Sequence, residues 1–351
     1  MVKIIGAGPA GNYAAFLLAR KGYDVEVFEE HKAIGKPVQC TGIVTHSLDS
    51  IIKVKKEFLV NTIKNVKINS VNSCLDLKLK NKDYIIDRTN FDSYLAMLAS
   101  DEGVKFRLGK RFQGCSKTKM KIGNKIMPYD KLIGADGPHS LVARSSQMYS
   151  KRKFVAGVQA RIKGKFDPEC FETWLGLGEF AWLVPESENT ARVGVIAKKN
   201  SSKYLKKLLM YKFKRSKILG FQGGLVPLHN PWQRIQKNNT FLLGDAATQV
   251  KATTYGGIVY GLMAAEELTK SFKHYELNCT KRFGKELYTS LKMRNIMNNF
   301  SPRDYDKLVR MFSDEKLKSI LQTHDRDFPV QMLTKILWNK PSVVKFAKNL
   351  V

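Results

Sequence analysis

Three glycines and one acidic residue near the start of the chain have the spacing of a nucleotide-binding site. Gly6, Gly8 and Gly11 form the pattern G-x-G-x-x-G, and Glu29 follows about 20 residues past the glycines. In this pattern the glycines permit a tight turn and let the backbone approach a pyrophosphate, and the acid accepts hydrogen bonds from ribose hydroxyls. The spacing therefore predicts a dinucleotide site.

A second acid precedes a second pair of glycines much later in the chain. Asp245 follows an apolar run, and Gly256 and Gly257 open a helical pattern that continues to about Phe272. A carboxylate at a strand end can hold a sugar-alcohol hydroxyl, and a helix N-terminus offers N–H groups and a positive dipole end to an electron-rich ring. A mononucleotide would not need this second site, so the pattern favours one cofactor held at both ends.

Two further residues could do chemistry, but each also has a simpler interpretation. Cys40 lies in the loop KPVQCTG, where a single cysteine is more often passive than reactive. Asp136, in GADGPHS, ends a predicted strand and could either contact a cofactor or cap the helix that follows. Both alternatives stay open at this point.

The elements that must position these residues alternate between strand and helix. Residues 2–5 and 25–28 are predicted strands, and residues 9–21 are the helix between them. Later apolar runs deliver Asp136 and Asp245 at strand ends. The fold class is therefore α/β, and α+β overall: a Rossmann-like nucleotide domain, an antiparallel-sheet substrate domain and a helical C-terminal region.

The patterns also predict domain boundaries. Residues 1–150 and 238–275 form a discontinuous nucleotide-binding domain with a small β insertion near 58–87. Residues 151–237 form an antiparallel sheet whose aromatic side chains could line an apolar pocket, although most aromatics in strands are core. Residues 276–351 form the helical C-terminal region.

The chain is strongly basic, with a formal net charge of +29. Of its 60 basic residues, 15 are arginines and 45 are lysines, and no arginine-rich segment occurs. Three explanations stay open: a lysine-biased proteome, attraction to an anionic membrane surface, and nucleic acid, which the scarcity of arginine disfavours. The segments KSF and KFAKNL could give a membrane-facing helix surface or could simply pack on the core.

Cysteine usage and hydropathy indicate the cellular compartment in which the protein works. The five cysteines are odd in number and widely spaced, which predicts reduced thiols in a cytoplasmic compartment and no metal site. The chain has no apolar run of about 18 residues, so no transmembrane helix is predicted. The apolar N-terminus is interrupted by glycines and Pro9, so we interpret it as structure and not as a signal peptide.

Together the motifs resemble a known family. GAGPAG with Glu29, GADGPHS and LLGDAA followed by Gly256 and Gly257 occur in the order typical of the flavoprotein fold of para-hydroxybenzoate hydroxylase. Within that superfamily KPVQCTG, DRTNFDSYLA, FAWLVP and GDAATQVKATTYGGI are similar to the geranylgeranyl reductases, particularly the archaeal digeranylgeranylglycerophospholipid reductases. The resemblance covers residues 1–275. It implies an FAD enzyme that saturates carbon–carbon double bonds of isoprenoid chains.

The resemblance also implies roles for individual residues. It places the adenosine ribose on Glu29, the adenine near the Phe112 backbone, and the ribityl chain on Asp245. It implies that the pyrophosphate is held by Gly6, Gly8, Ala10 and Gly11, and that Arg88 contacts the cofactor. It also implies that the flavin ring is bordered by Cys40, Thr41 and Gly42, and that its pyrimidine edge is bound by the N–H groups of Gly257 and Ile258.

On the substrate side, the resemblance implies that Trp182 and Pro185 line the prenyl pocket. Reduced FAD would deliver hydride to one alkene carbon, and Cys40 is the candidate for the protonation of the other. The electron donor stays unidentified, because the chain has no second nucleotide motif: a ferredoxin, a deazaflavin or a nicotinamide would serve. The substrate is either a prenylated glycerophospholipid or a prenyl diphosphate, and we expect the protein to be peripheral at the membrane.

The chain departs from the family pattern at several positions. Thr248, Ala252 and Tyr255 stand where the family usually has Gly, Pro and Gly, and Phe180 and Val184 replace a tyrosine and a phenylalanine of the pocket motif. Two other functions stay open: a flavin-dependent aromatic monooxygenase, which the same fold supports, and a non-catalytic flavin-bound protein that binds lipid or membrane.

Overall fold

A computed structural model describes residues 1–350 of the chain, and the side chains of residues 1–346. The strands are β1 (Val2–Ile5), β2 (Val25–Phe28), β3 (Ile43–Val44), β4 (Leu59–Asn69), β5 (Cys74–Ile86), β6 (Lys105–Arg107), β7 (Phe112–Cys115), β8 (Lys119–Ile122), β9 (Lys125–Pro128), β10 (Lys131–Gly134), β11 (Phe154–Lys163), β12 (Cys170–Leu175), β13 (Phe180–Ser187), β14 (Thr190–Ala197), β15 (Lys217–Pro227), β16 (Gln236–Lys237) and β17 (Thr240–Leu242). The α-helices are α1 (Pro9–Arg20), α2 (Arg88–Asp101), α3 (Leu141–Ser145), α4 (Ser201–Lys212), α5 (Ile258–Lys270), α6 (Tyr275–Cys279), α7 (Lys285–Met297), α8 (Pro302–Met311), α9 (Glu315–Thr323) and α10 (Pro329–Asn339).

The chain divides into two compact units. The first unit contains Met1–Val38, Asp87–Lys153 and Pro227–Tyr288. The second contains Gln39–Ile86, Phe154–Val226 and the chain from Thr289 onward. Both units are therefore discontinuous in sequence.

The first unit is built on a six-stranded sheet with the order β16-β17-β10-β1-β2-β6. The strands from β17 to β6 are parallel, and β16 pairs antiparallel with β17. Strand β1 lies in the centre, and its four residues are all buried because helices pack on both faces of such a sheet. The predicted β1-α1-β2 unit and the α/β class are confirmed. A separate three-stranded sheet, β7-β8-β9, completes the unit.

The second unit is built on an eight-stranded sheet with the order β15-β11-β14-β13-β12-β4-β5-β3. One face packs against α4, because alternate residues of β11, β13 and β14 point to it. The buried core there contains Ala160, Ile162, Ala181, Leu183, Ala191, Val193 and Val195 from the strands and Leu205 and Leu208 from α4. An antiparallel sheet in this part of the chain was predicted, and β11, β13 and β14 pair in that way.

The segment predicted as a small insertion of the nucleotide domain belongs instead to this larger sheet. Strand β4 pairs antiparallel with β5 and parallel with β12, where Cys170 lies opposite Asn65. The insertion near 58–87 was therefore assigned to the wrong unit. The pairing joins strands about a hundred residues apart along the chain, which local alternation cannot reveal.

The C-terminal helices divide between the units. Helix α6 belongs to the first, and residues from Thr289 onward belong to the second. There Val309 of α8 packs with Leu75 and Leu77 of β5, so this part of the predicted C-terminal region extends the second unit. No helix in residues 1–350 is long and apolar enough to cross a bilayer.

The segment KSF contributes Phe272 to an aromatic cluster of the first unit. The Phe272 ring lies 5.6 Å from the Tyr23 ring and 5.1 Å from the Phe241 ring, between centroids, and the Lys131 ammonium lies over it. Phe272 is thus half-buried against the first unit. Of the second segment, KFAKNL, the side chains of residues 347–350 lie outside the part of the structure described.

Candidate functional site

The glycine loop of the first unit is shaped by contacts that leave no room for side chains. Gly6 has φ +101°, and a Cβ there would lie 2.4 Å from the Ala135 carbonyl oxygen. A Cβ on Gly11 would lie 2.1 Å from the Gly6 oxygen, whereas one on Gly8 would meet nothing within 4 Å. Helix α1 therefore begins beside open space, with Gly8 as an N-cap that has no side chain to occupy its N–H groups.

Glu29 directly follows β2, and its side chain reaches this loop. One carboxylate oxygen accepts a hydrogen bond from the Ala7 N–H at 2.9 Å, and the other accepts one from the His31 N–H at 2.9 Å. The carboxylate is therefore fixed beside the turn between Gly6 and Gly8, as the predicted ribose contact requires.

The second acid and the second helix converge on the same loop. A Cβ on Gly244 would lie 3.4 Å from the Ala10 Cβ, and one on Gly261 of α5 would lie 3.1 Å from it. Ala10, in the first turn of α1, is thus the point where the three glycine-containing segments meet inside the first unit. Helix α5 also begins at a glycine, Gly257, so no side chain caps the N–H groups that follow it.

The Asp245 carboxylate has no hydrogen-bond donor among the described residues. Within residues 1–350 it accepts no side-chain or backbone hydrogen bond, and its Oδ1 lies 3.2 Å from the Cβ position that Gly257 leaves empty. Burial raises the pKa of Asp245 to about 6, and Arg88 and Arg152 oppose that rise. At neutral pH the group is mainly ionised, so a hydroxyl donor would stabilise it.

Arg88 is held in place by its own helix. Its guanidinium donates to both carboxylate oxygens of Asp92, at 3.1 and 2.9 Å. Asp92 is buried, which raises its pKa, and Arg88 opposes that rise. The Asn12 side-chain amide donates to the carbonyl oxygens of Ala7 and Asp92, at 2.9 Å each, and so ties α1 to α2.

Arg152 was not identified from the sequence. Its guanidinium donates to the carbonyl oxygens of Pro138 at 2.8 Å and Ala246 at 2.6 Å, so it joins the strand ends that carry Asp136 and Asp245. Its Nε is buried without an acceptor among the described residues. No local pattern marks this residue, because the segments that it joins are distant in sequence.

Two predicted residues have structural roles in the first unit. The Asp136 carboxylate accepts from the Ser140 hydroxyl at 2.6 Å and the Val142 N–H at 3.0 Å, so it serves the start of α3 together with Ser140, which is the N-cap residue. Phe112 begins β7 with its ring buried. The nearby Lys110 N–H donates to the Glu29 carbonyl oxygen at 2.8 Å, which brings this segment beside the acid.

In the second unit the Cys40 loop is fastened to the sheet by buried polar side chains. The Gln159 amide donates to the Cys40 carbonyl oxygen at 3.3 Å and accepts from the Thr41 hydroxyl at 3.0 Å. Arg192 donates to the Thr41 carbonyl oxygen and to Glu186 at 2.6 Å. Neither Gln159 nor Arg192 was identified from the sequence, since each looks like an ordinary polar position of an alternating strand.

The Cys40 thiol itself lies in a tight turn. The Gly42 N–H points to the Cys40 Sγ at 3.3 Å. Gly42 has φ +77°, and a Cβ there would lie 2.3 Å from the Ile86 carbonyl oxygen. Only glycine fits this position, so Gly42 fixes the course of the chain directly after Cys40 and Thr41.

The pocket motif FAWLVP places alternate residues on one face of the sheet. Trp182 pairs with Gly194, which pairs with Gln159, and Gly194 leaves room for the indole, whose Cζ2 lies 2.2 Å from the missing Cβ. Phe180 and Val184 share this face by the two-residue period. Pro185 pairs with Ala191, on the opposite face. The structure does not bring Trp182 and Pro185 together.

Two departures from the family pattern occur where the backbone favours glycine. Thr248 has φ +56° and Tyr255 has φ +58°, both in the left-handed region. Thr248 is held there by His229, which lies 2.9 Å from its carbonyl oxygen, and by the Asn230 N–H, which donates to its hydroxyl at 3.1 Å. The loop thus keeps the left-handed backbone that glycine favours, although neither position is a glycine.

The fold and the first unit's geometry define a Rossmann-like nucleotide-binding domain. Residues 4–43 match the family model of NAD(P)-binding Rossmann-like domains. The structure is similar, with a TM-score of 0.67 and 14% identity over 96% of both chains, to the myxobacterial chondrochloren halogenase CndH, described as a variant of FAD-dependent halogenases.

Two more specific similarities extend over the whole chain. A geranylgeranyl bacteriochlorophyll reductase-like protein from Thermoplasma acidophilum has the same fold, with a TM-score of 0.87 and 23% identity over 100% of this chain and 98% of that one. Digeranylgeranylglycerophospholipid reductase 2 of Methanothermobacter thermautotrophicus is 28% identical over 100% of this chain and 99% of its own. The predicted resemblance to the geranylgeranyl reductases is confirmed.

Proposed function

We propose that the chain is an FAD-dependent reductase that saturates carbon–carbon double bonds in the geranylgeranyl chains of archaeal-type membrane lipid precursors. The observation that carries this proposal is the full-length similarity to proteins named digeranylgeranylglycerophospholipid reductase. The halogenase likeness carries less weight, because at 14% identity it concerns the fold alone.

The first unit is the proposed FAD-binding domain. Three features support FAD: an open uncapped helix start at Gly8, a fixed carboxylate at Glu29 and an unpartnered carboxylate at Asp245 beside the start of α5. The loop from Gly6 through Ala10 to Gly11 would hold the pyrophosphate and Asp245 the ribityl hydroxyls. The N–H groups of Gly257 and Ile258 would bind the pyrimidine edge, with Arg88 as a further contact and the Phe112 backbone near the adenine.

The reaction requires a hydride and a proton for each double bond. Bound FAD, once reduced by an electron donor of unidentified class, supplies the hydride. The positive end of the α5 dipole favours negative charge near Gly257 and Ile258. The carboxylate of Asp245 would bind the cofactor's ribityl hydroxyls and so would help to hold the cofactor in one orientation.

We propose that Cys40 donates the proton to the second alkene carbon. The Gly42 N–H points to its sulfur at 3.3 Å and so fixes the direction of the thiol within the turn. Gln159 and Arg192 position the loop through the carbonyl oxygens of Cys40 and Thr41. They are positioning residues, and Cys40 is the catalytic one.

The second unit is the proposed substrate domain. A prenyl chain offers only apolar surface, so its binding depends on burial against apolar side chains at about 25 cal/mol per Å². The face that carries Phe180, Trp182 and Val184 supplies such side chains. Val184 is smaller than the phenylalanine that the pocket motif usually has, and its side chain is fully buried. Pro185 contributes to the strand's course and not to that face.

An anaerobic flavin assay tests the proposal against its alternatives. We expect purified protein to bind FAD and, after reduction by dithionite, to be re-oxidised by digeranylgeranylglycerophospholipid without oxygen. Re-oxidation only by oxygen, accelerated by a phenol, would indicate an aromatic monooxygenase. A reduced flavin that no prenyl lipid or prenyl diphosphate re-oxidises would indicate a non-catalytic binding protein.

A further inference from the structure

A basic and partly apolar surface of the second unit has no part in the proposed reaction. It consists of the C-terminal half of α4, the turn that follows and most of β15, residues 206–225, which we call the α4–β15 surface. Between residues 198 and 217 the chain has no acidic residue and nine basic ones: Lys198, Lys199, Lys203, Lys206, Lys207, Lys212, Lys214, Arg215 and Lys217. The acid-free stretch continues from Glu188 to Asp245.

Large apolar side chains are exposed within the same surface. Met210 is 58% exposed, Tyr211 83% and Phe221 66%. Ile218, Leu219 and Leu225 are exposed as well. Helix α4 already buries Leu205 and Leu208 in the core, so these outward side chains are not needed to hold it on the sheet. Contiguous exposed apolar side chains bordered by charge are typical of an interaction site.

The fold joins these side chains into one surface. The turn after α4 is closed by a hydrogen bond from the Ser216 N–H to the Phe213 carbonyl oxygen at 2.9 Å, so α4 leads directly into β15. Strand β15 is the edge strand of the eight-stranded sheet. Ile218 and Leu219 are successive residues of a strand and point to opposite faces, yet both are exposed. Both faces of the sheet are therefore open to solvent at this end of β15.

We propose that the α4–β15 surface docks the protein on an anionic lipid bilayer. Five of its six basic residues are lysines, which act as point charges and suit a diffuse negative surface better than the bidentate recognition that arginine provides. The exposed apolar side chains insert at the boundary between headgroups and acyl chains. A nucleic acid would use the charge but leave Phe221, Leu219 and Met210 exposed.

The same strand leads from this surface to the Cys40 loop. Gly224 approaches Gln39, whose Cβ lies 3.0 Å from the Cβ position that the glycine leaves empty, and Gln222 accepts from the Gln159 amide at 2.6 Å. Leu219 and Gly224 are five residues apart, or roughly 17 Å along a strand. The distance from the docked bilayer to the loop that carries Cys40 is thus about the length of one prenyl chain of the substrate. This link to the reaction rests on the proposed function, whereas the docking does not.

Vesicle sedimentation tests the docking with full-length protein. The vesicles contain equal parts of phosphatidylglycerol and phosphatidylcholine, or phosphatidylcholine alone. One variant carries Lys206→Glu, Lys207→Glu, Lys214→Glu and Arg215→Glu, and its matched control carries Lys55→Glu, Lys56→Glu, Lys78→Glu and Lys80→Glu, four exposed lysines elsewhere in the same unit. A second variant, Leu219→Ser with Phe221→Ser, is matched by Val71→Ser, an exposed apolar residue.

We expect the wild type to bind the anionic vesicles and not the neutral ones, with weaker binding at high salt. Each surface variant lowers the partition coefficient by about tenfold or more, and each control changes it little. The docking is wrong if the wild type does not sediment with anionic vesicles, or if the charge control loses as much as the surface variant. The docking is also wrong if the binding of duplex RNA, and not the binding of vesicles, depends on these lysines.

Activity separates this inference from the proposed function. Both surface variants should reduce detergent-dispersed substrate at the wild-type rate and lose activity only on substrate embedded in vesicles. Equal activity of wild type and variants on embedded substrate would overturn the link between docking and substrate supply. Vesicle binding without any reductase activity would leave the docking standing and remove the proposed function.

Discussion

The side-chain amide of Gln159 donates to the carbonyl oxygen of Cys40, with 3.3 Å between the two atoms. The same amide group accepts from Thr41 and donates to Gln222, so one buried side chain connects the loop of the proposed proton donor to the sheet. The loop's position therefore depends on a polar residue of β11 that lies more than a hundred residues away in sequence.

Replacement of Gln159 by Leu should loosen this loop. It leaves the Cys40 carbonyl oxygen, the Thr41 hydroxyl and the Gln222 amide without their partner, at about 1–3 kcal/mol for each buried group that stays unsatisfied. We expect a lower free energy of unfolding in urea and faster proteolysis within residues 39–42. Gln113→Leu, the same change at an exposed position, is the control. Equal stability of the two variants would contradict the connecting role.

Gly42 and Gly22 give a matched pair for the space around the loop. Their φ angles are similar, +77° and +81°, but a Cβ on Gly22 meets nothing within 4 Å and one on Gly42 lies 2.3 Å from the Ile86 oxygen. Gly22→Ala should destabilise by about 1–2 kcal/mol, the cost of a side chain in the left-handed region. Gly42→Ala should cost about 1–3 kcal/mol more, because the backbone must move. Equal urea midpoints would show that this turn is not sterically restricted.

Asp245 should make FAD affinity depend on pH. Its pKa is raised to about 6 from a model-peptide value of 3.8, so in the cofactor-free protein its contribution to stability is greatest below pH 3.8 and is lost as pH rises through 6. Ribityl hydroxyls favour the ionised carboxylate, so the affinity for FAD should rise from about pH 5 to about pH 7.

Titration of flavin fluorescence measures this dependence. Asp245→Asn should weaken binding by about tenfold or more and flatten the pH profile, because a charge-assisted hydrogen bond is replaced by a neutral one. Asp101→Asn, at the exposed end of α2, is the control and should change neither. A pH profile that survives in Asp245→Asn would assign the dependence to another group.

Cys40→Ala should separate cofactor binding from turnover. If Cys40 donates the proton, its loss should lower the rate of lipid-dependent flavin re-oxidation by about 100-fold or more, while FAD affinity stays near the wild-type value. Cys74→Ala, at an exposed cysteine of the same unit, is the control. A wild-type rate in Cys40→Ala would exclude the thiol as the donor.

The nucleotide unit could be predicted because its signals are local. The β1-α1-β2 unit, Glu29 at a strand end and the glycine before α5 each follow from a short stretch of sequence and its period. The capping role of Asp136 was one of two open alternatives, since a cap and a cofactor ligand require the same residue at the same place.

The second unit was harder to predict because its structure depends on distant pairings. Strand β4 joins β12 across about a hundred residues, which moved the 58–87 segment into another sheet than expected. Pro185 follows Trp182 by three positions, so the strand's period turns it to the opposite face. Gln159 and Arg192 could not be singled out, because their importance arises from a loop that folds onto them.

The most direct test of the account is the mass of the lipid after one anaerobic turnover. Protein with FAD reduced by dithionite is mixed with digeranylgeranylglycerophospholipid, and the extracted lipid is weighed by mass spectrometry as the flavin spectrum is followed. We expect one hydrogen pair to be gained for each flavin re-oxidised, and a far slower gain in Cys40→Ala. A lipid of unchanged mass beside a flavin that stays reduced would contradict it.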